Sequence, residues 1–233
     1  MYRENRKTIN WFVGCEHNCI YCKPSFQAQM KRQKHNCLKC YSYEPHAHLE
    51  RLLKAPPKTV GDEFIFFPSS ADISFASFEQ IDYALVYAKK YFDRTFLMQT
   101  KDPELLLPYE FPDNVIVGTT IETDQIWFPD NPSKYFSYSE ISSAPAPFHR
   151  VKAMSQLKHK RQMVTIEPIL LFGHITFPSW IKEINPEVVY VGYDNHKCKL
   201  PEPALSETKA LIEQLETFTE VRVKSLRKAW WEK

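Results

Sequence analysis

A chain of 233 residues is long enough for one domain with a single large core, and 43% hydrophobic with 14% aromatic residues supplies the side chains to fill it. Thirty Lys and Arg against 28 Asp and Glu leave a formal charge of only +2, which gives no general nucleic-acid or membrane-surface binder. The six cysteines are unevenly spread, five between Cys15 and Cys40 with Cys198 far away, which argues against a disulfide scaffold and for metal ligation in a reducing compartment.

The amino-terminal MYRENRKTINW carries no apolar core of signal-peptide length, and no run approaches the roughly 20 apolar residues of a membrane span, so a soluble cytoplasmic protein with no membrane partner is expected. Short apolar, β-branched or aromatic runs then alternate with amphipathic stretches, the pattern of βα units. The predicted strands are Thr8 to Val13, Glu63 to Phe67, Thr95 to Gln99, Val115 to Thr119, Met163 to Ile166 and Val188 to Val191, with Val221 to Lys224 as a seventh. Between them, Ser77 and Gln80 form a capping box for a helix whose apolar face is Phe78, Ile81, Leu85, Ala88 and Phe92. Further helices are predicted near Arg150 to Lys158, Ser179 to Ile184 and Ser206 to Phe218. The expected fold is a partial (β/α)6 barrel of parallel strands, one domain over 1–233 with a Cys- and His-containing insertion at about 23–50.

In such barrels the chemistry collects at the carboxyl ends of the strands. Those ends read Gly14-Cys15, Ser69-Ser70-Ala71-Asp72, Gln99-Thr100-Lys101, Thr119-Thr120-Ile121-Glu122, Glu167-Pro168 and Gly192-Tyr193-Asp194, all bearing polar groups. After the first predicted strand comes Cys15-Glu16-His17-Asn18-Cys19-Ile20-Tyr21-Cys22, a C-x3-C-x2-C loop. Three thiolates from such a loop hold three irons of a 4Fe-4S cluster and leave the fourth open to another ligand. A structural zinc site competes with this reading, because Cys19-x2-Cys22 followed by Cys37-x2-Cys40 approximates a four-cysteine pattern, though it leaves Cys15 unexplained.

The three-cysteine spacing, with aromatic Tyr21 just before the last cysteine, resembles the radical S-adenosylmethionine superfamily. Phe67-Pro68-Ser69-Ser70-Ala71-Asp72, Gln99-Thr100-Lys101, Val117-Gly118-Thr119-Thr120-Ile121-Glu122, Thr165-Ile166-Glu167-Pro168 and Val191-Gly192-Tyr193 look like a small phage-protein-like branch of it. Two departures stand out: Ser69-Ser70-Ala71 replaces the usual Gly-Gly-Glu, and Cys37, Cys40 and Cys198 lie outside the superfamily's core pattern. The resemblance implies a cluster on Cys15, Cys19 and Cys22, S-adenosylmethionine on the open iron, reductive cleavage to a 5'-deoxyadenosyl radical, and an electron donor such as ferredoxin or flavodoxin. Cofactor contacts are then expected along the strand ends: Ser69 and Ser70, in place of the Gly-Gly-Glu, toward the methionine end, Tyr21 toward adenine, Glu122 and Glu167 toward ribose hydroxyls or the ammonium, Lys101 toward a carboxylate or a substrate anion, and Thr120 among the cofactor-binding residues. A rim ion pair is the structural alternative for each Glu and for Lys101.

Two segments are left over. Cys37 and Cys40, followed by His46 and His48, form a second candidate metal knuckle to which Cys198 could add a thiolate, for a second iron-sulfur cluster or a zinc ion. Arg222, Lys224, Arg227 and Lys228 precede Trp230 and Trp231, a mixture suited either to stacking on nucleic acid or to closing the barrel end with solvated charges. From these two segments comes the alternative of a zinc-stabilised nucleic-acid-binding protein.

Overall fold

A computed structural model describes residues 2–131 and 134–233. In chain order the strands are β1 (Asn5–Thr8), β2 (Phe12–Val13), β3 (His46–Ala47), β4 (Phe64–Phe66), β5 (Phe96–Thr100), β6 (Val115–Thr120), β7 (Trp127–Asn131), β8 (Lys134–Ser137), β9 (Gln162–Ile166), β10 (Val188–Val191) and β11 (Glu220–Val223). The α-helices are α1 (Ala28–Met30), α2 (Leu38–Ser42), α3 (Phe78–Lys90), α4 (Tyr138–Ile141), α5 (Pro147–Gln156), α6 (Thr176–Ile184) and α7 (Leu205–Leu215). Seven strands form one sheet in the order β1-β4-β5-β6-β9-β10-β11, every neighbouring pair parallel, which curls into a half-barrel. The remaining four strands make two small antiparallel ladders, β2 with β3 and β7 with β8.

A parallel sheet covered on both faces needs apolar strands, and the five inner strands β4, β5, β6, β9 and β10 are buried along nearly their whole length, whereas the edge strands β1 (Asn5-Arg6-Lys7-Thr8) and β11 (Glu220-Val221-Arg222-Val223) are polar. Ile65, Phe67, Phe96, Met98, Val115, Val117, Val164, Ile166, Val189 and Val191 face outward into one core with residues of α3, α5, α6 and α7. The alternate positions Phe64, Phe66, Leu97, Ile116, Met163, Val188 and Tyr190 face inward around Tyr2, which plugs the barrel. The Tyr2 hydroxyl donates to Gln99 Oε1 at 2.7 Å and lies 2.9 Å from Thr165 Oγ1, so this plug is both apolar and satisfied. Arg222 on β11 reaches Glu4 at 3.1 Å and Asp62 at 2.8 Å, tying the last strand back to the start of the chain.

The capping box at Ser77 and Gln80 is present at the start of α3. Its buried stripe is Ile81, Ala84, Leu85 and Ala88, whereas Phe92 lies beyond the helix end and Phe78 stacks on Tyr109 at 5.0 Å, both exposed. The larger departure concerns the first strand. Instead of one strand from Thr8 to Val13, β1 ends at Thr8 and the chain leaves the sheet to form β2, which pairs with β3 of the insertion. Asn10 lies at the break, its Oδ1 accepting from Ser69 N at 2.9 Å and Ser70 N at 3.1 Å. The cysteine loop therefore departs from an accessory ladder, and Gly14 rejoins the barrel through an isolated parallel bridge to Ala71.

Candidate functional site

Gly14 sets the start of the cysteine loop. Its φ of +101° lies in the region open to glycine, and a Cβ there would sit 2.4 Å from the backbone carbon and oxygen of Glu44. The insertion thus packs directly behind the residue that precedes Cys15. Cys19 starts a short 3-10 turn, Ile20–Cys22, with Cys22 N donating to Cys19 O at 3.0 Å. Cys19 Sγ lies 3.0 Å from Ser142 Oγ, just past α4, and the amide of Ser143 donates to His17 O at 2.8 Å. A hydrogen bond from Cys22 holds the Cys19 thiol down at about 5 against the cost of burial, helped by the charge of Lys101 and by Ser142. Cys22, the donor of that pair, is pushed up by the same bond and by burial, and Cys15 is pushed up by burial and by the charge of Asp72. Of the three, Cys19 is the thiol whose surroundings favour the thiolate.

Behind Cys15 stand His17 and Asp72, ligand-type atoms of the three lying within 4.8 Å of one another. Asp72 is nearly enclosed, 3.2 Å from His17 Nε2, and accepts from Thr100 Oγ1 at 2.5 Å, Lys101 N at 2.7 Å and Ser74 N at 3.0 Å. Burial alone would raise this carboxyl, but His17, Thr100 and the Lys101 amide hold it down at about 2. One side chain so ties together the ends of β4 and β5 and the cysteine loop. The turn at Ser69 and Ser70 is organised by Asn10, whose Nδ2 also donates to Ser70 Oγ at 3.2 Å.

Glu122 is enclosed by donors from four side chains. Its side chain is fully buried; Oε1 accepts from Tyr21 OH at 2.5 Å and from Lys101 Nζ, and Oε2 accepts from Arg150 Nη1 at 2.8 Å and Tyr138 OH at 3.0 Å. Four donors on four lone-pair sites leave none for a ribose hydroxyl. Burial would raise its carboxyl, yet the charges of Lys101 and Arg150 and the hydrogen bonds hold it down at about 2. The carboxylate instead positions Tyr21 and Lys101, whose ammonium also lies 5.2 Å from the centre of the Tyr21 ring. Thr120 accepts from Gln99 Nε2 at 3.0 Å, and Glu167 pairs with Lys224, which sits 4.4 Å from the centre of the Tyr2 ring. So Glu167 adopts the rim ion pair, and it lines an open cleft of about 410 Å³ with Tyr190, Arg222 and Lys224.

The second knuckle forms with a different membership. Cys37, Cys40, His46 and His48 bring one ligand atom each within 4.8 Å of the others. Cys198 does not join them: it packs against the cluster of Cys19, Tyr21, Leu170 and Leu200, its amide donating to Asp194 Oδ2 at 2.7 Å. Burial and the charge of Asp194 push the Cys198 thiol up to about 11, an environment that disfavours a thiolate. The candidate ligand set of Cys37, Cys40 and Cys198 is thereby replaced by two cysteines and two histidines of one continuous segment.

Sequence reasoning does not single out Asn10, His17, Tyr138, Ser142 or Arg150 as functional. Only Arg150 leaves a signal: it stands four residues before Met154 on the buried stripe of α5, and a buried guanidinium demands a buried carboxylate. At the carboxyl end, Arg227 makes a two-pronged contact with Glu202 at 2.6 and 2.8 Å, and the indoles of Trp230 and Trp231 donate to the carbonyls of Leu200 and Glu202. Both indole rings remain about half exposed. No helix among the described residues is long and apolar enough to cross a membrane. No protein-family profile and no curated protein matches the chain.

Proposed function

We propose that the chain is a radical S-adenosylmethionine enzyme with a half-barrel of the (β/α)6 kind, in which Cys15, Cys19 and Cys22 hold a 4Fe-4S cluster. One observation carries the reading: three thiols of a C-x3-C-x2-C loop are held beside the carboxyl ends of a curled parallel sheet, with the charge of Lys101 close to Cys19. The donor set suits the group, because thiolates beside a cation are its usual ligands and the loop supplies three, leaving one iron for the cofactor. When bound, cluster and S-adenosylmethionine together supply reductive cleavage to methionine and a 5'-deoxyadenosyl radical, with the electron drawn from a ferredoxin or flavodoxin, and the radical takes hydrogen from a substrate.

The protein's own groups bind, orient and exclude water. Lys101 keeps positive charge beside Cys19 and so favours its thiolate. Glu122 fixes Lys101 and Tyr21, and Asp72 fixes His17 and the Lys101 backbone, so each end of the loop rests on a buried carboxylate. With the cofactor bound, Ser69 and Ser70, on the turn that Asn10 holds, would offer hydroxyls to its methionine end, and Thr120 and Glu167 would line its ribose side.

Anaerobic purification tests this directly. A brown protein with about four irons per chain on this loop, which when reduced turns S-adenosylmethionine into methionine and 5'-deoxyadenosine, is the expected outcome. A Cys15→Ala, Cys19→Ala, Cys22→Ala chain that kept its iron, or a fully loaded reduced protein that formed neither product, would overturn the reading.

A further inference from the structure

The insertion contains a ligand set that the radical chemistry does not use. Cys37 opens α2 and its Sγ accepts from the amide of Cys40 at 3.4 Å, the turn by which two cysteines two residues apart point to one centre. His46 and His48 are alternate residues of an extended segment beginning at β3, so both rings fall on the same side. Cys37 Sγ lies 3.4 Å from His46 Nε2, and Cys40 Sγ lies 3.4 Å from His46 Nε2 and 3.2 Å from His48 Nε2.

The outer nitrogens decide what the inner ones are. His46 Nδ1 is 2.7 Å from the carbonyl oxygen of Glu44 and His48 Nδ1 is 3.0 Å from Glu50 Oε1. Both partners only accept, so each Nδ1 carries a proton, and in the neutral imidazole that a metal binds each Nε2 turns a lone pair inward. Yet the two Nε2 atoms stand 2.9 Å apart. Two facing lone pairs at that distance repel, and a cation between them and the two sulfurs removes the conflict. The outer contacts are those that orient histidine ligands around a metal.

We infer that Cys37, Cys40, His46 and His48 form a tetrahedral zinc site that locks the insertion against the cysteine loop. Zinc–sulfur bonds of about 2.3 Å and zinc–nitrogen bonds of about 2.0 Å give tetrahedral S···N edges of about 3.5 Å and an N···N edge of about 3.3 Å, so the three S···N edges and the N···N edge above need to spread by only a few tenths of an ångström. A two-iron cluster would divide these ligands between separate metals, whereas all four atoms lie within 4.8 Å of one another. On binding, the two thiols lose their protons to solvent and the imidazoles stay neutral. The ion is structural, because four protein ligands complete its shell and leave no open position. Its reach extends to the neighbouring loop: His46 pairs with Val13, His48 N donates to Trp11 O at 2.6 Å, and the Glu44 backbone backs onto Gly14.

Zinc content and the zinc X-ray absorption edge of the full-length protein, purified anaerobically from zinc-supplemented medium, test the site without reference to iron. About one zinc per chain is expected, with two sulfurs at about 2.3 Å and two nitrogens at about 2.0 Å, retained in the Cys15→Ala, Cys19→Ala, Cys22→Ala chain and lost in Cys37→Ser, His48→Ala. Should that last variant fail to fold, the absorption spectrum of the unaltered protein decides, and His46→Cys should keep the zinc with three sulfurs. Absence of zinc from the unaltered protein even after incubation with zinc chloride, or a zinc shell of three or four sulfurs there, would overturn the assignment. Neither result touches the iron and product measurements, which test the enzyme reading independently.

Discussion

Glu122→Gln is the most informative single change, because the carboxylate is buried beneath four donors, two of them cationic. Gln keeps the size of the side chain but removes its charge, and places an amide –NH2 against donors that need an acceptor. Holding this carboxyl at about 2 instead of 4.5 amounts to about 3 kcal/mol of stabilisation from linkage alone. Leaving Arg150 uncompensated, its side chain fully buried, independently places the loss at ~3–5 kcal/mol. Since the folded group is held below its unfolded value, its contribution is present above pH 4.5 and disappears as pH falls through about 2. Denaturant unfolding followed by circular dichroism, with equal metal loading, should show the full loss at pH 7 and a narrowing gap between the two proteins on acidification. Adding Arg150→Met should recover part of it, as removal of both charges leaves neither stranded. A loss under about 1 kcal/mol at neutral pH would refute a saturated buried carboxylate and restore Glu122 as a ligand-facing group.

Gly14→Ala forces a side chain into backbone atoms 2.4 Å away at a φ of +101°, so iron retention and thermal midpoint should both fall, while Gly61→Ala, where nothing lies within 4 Å, should cost only its positive φ. Asn10→Ala strands the amides of Ser69 and Ser70 and should cost ~1–3 kcal/mol by denaturant titration, with weaker S-adenosylmethionine binding by calorimetry; Asn10→Asp, which keeps the acceptor, should restore most of the stability.

Much of the sheet is legible in the sequence because its inner strands are apolar on both faces and end in polar clusters, a pattern that survives without tertiary information. Six predicted strands match to within a few residues, and the capping box at Ser77 marks the start of α3. The first strand is the exception: Thr8 to Val13 is β-prone at every position but Asn10, while the partner that draws Phe12 and Val13 away lies at His46 and Ala47, at the far end of the insertion. The site is legible as residue types at strand ends, but not as pairings. Nothing local tells Glu122 that Arg150 will arrive beneath it from α5, nor tells Cys198 that it will settle by Leu200 and away from Cys40. Histidines two residues apart hint at a shared centre, which only the extended backbone of β3 turns into one.

Asp72 is where these levels meet, since one buried carboxylate joins two strand ends to the cysteine loop. Asp72→Asn retains one acceptor oxygen and turns an –NH2 either on the Lys101 amide and His17, which share Oδ2, or on the Thr100 hydroxyl and the Ser74 amide, which share Oδ1, and it removes the charge in both cases. Holding this carboxyl at about 2 instead of 3.8 corresponds to about 2 kcal/mol, a loss that a protein of this size survives folded. The effect on the loop should be larger than the effect on the fold. His17 is held from one side by Asp72 and from the other by the Ser143 amide, and Cys15 and Cys19 flank it in sequence, so loosening His17 spreads the thiols that must close on one cluster. Reconstitution with iron and sulfide should therefore be slower and less complete in Asp72→Asn, while circular dichroism at room temperature stays that of the unaltered protein. Thr100→Val, which removes a single donor and leaves His17 in place, should lose stability without that defect in cluster assembly. Equal rates and yields of reconstitution in Asp72→Asn and the unaltered protein would show that the loop holds its shape without this carboxylate, and the coupling between strand ends and thiols would have to be abandoned.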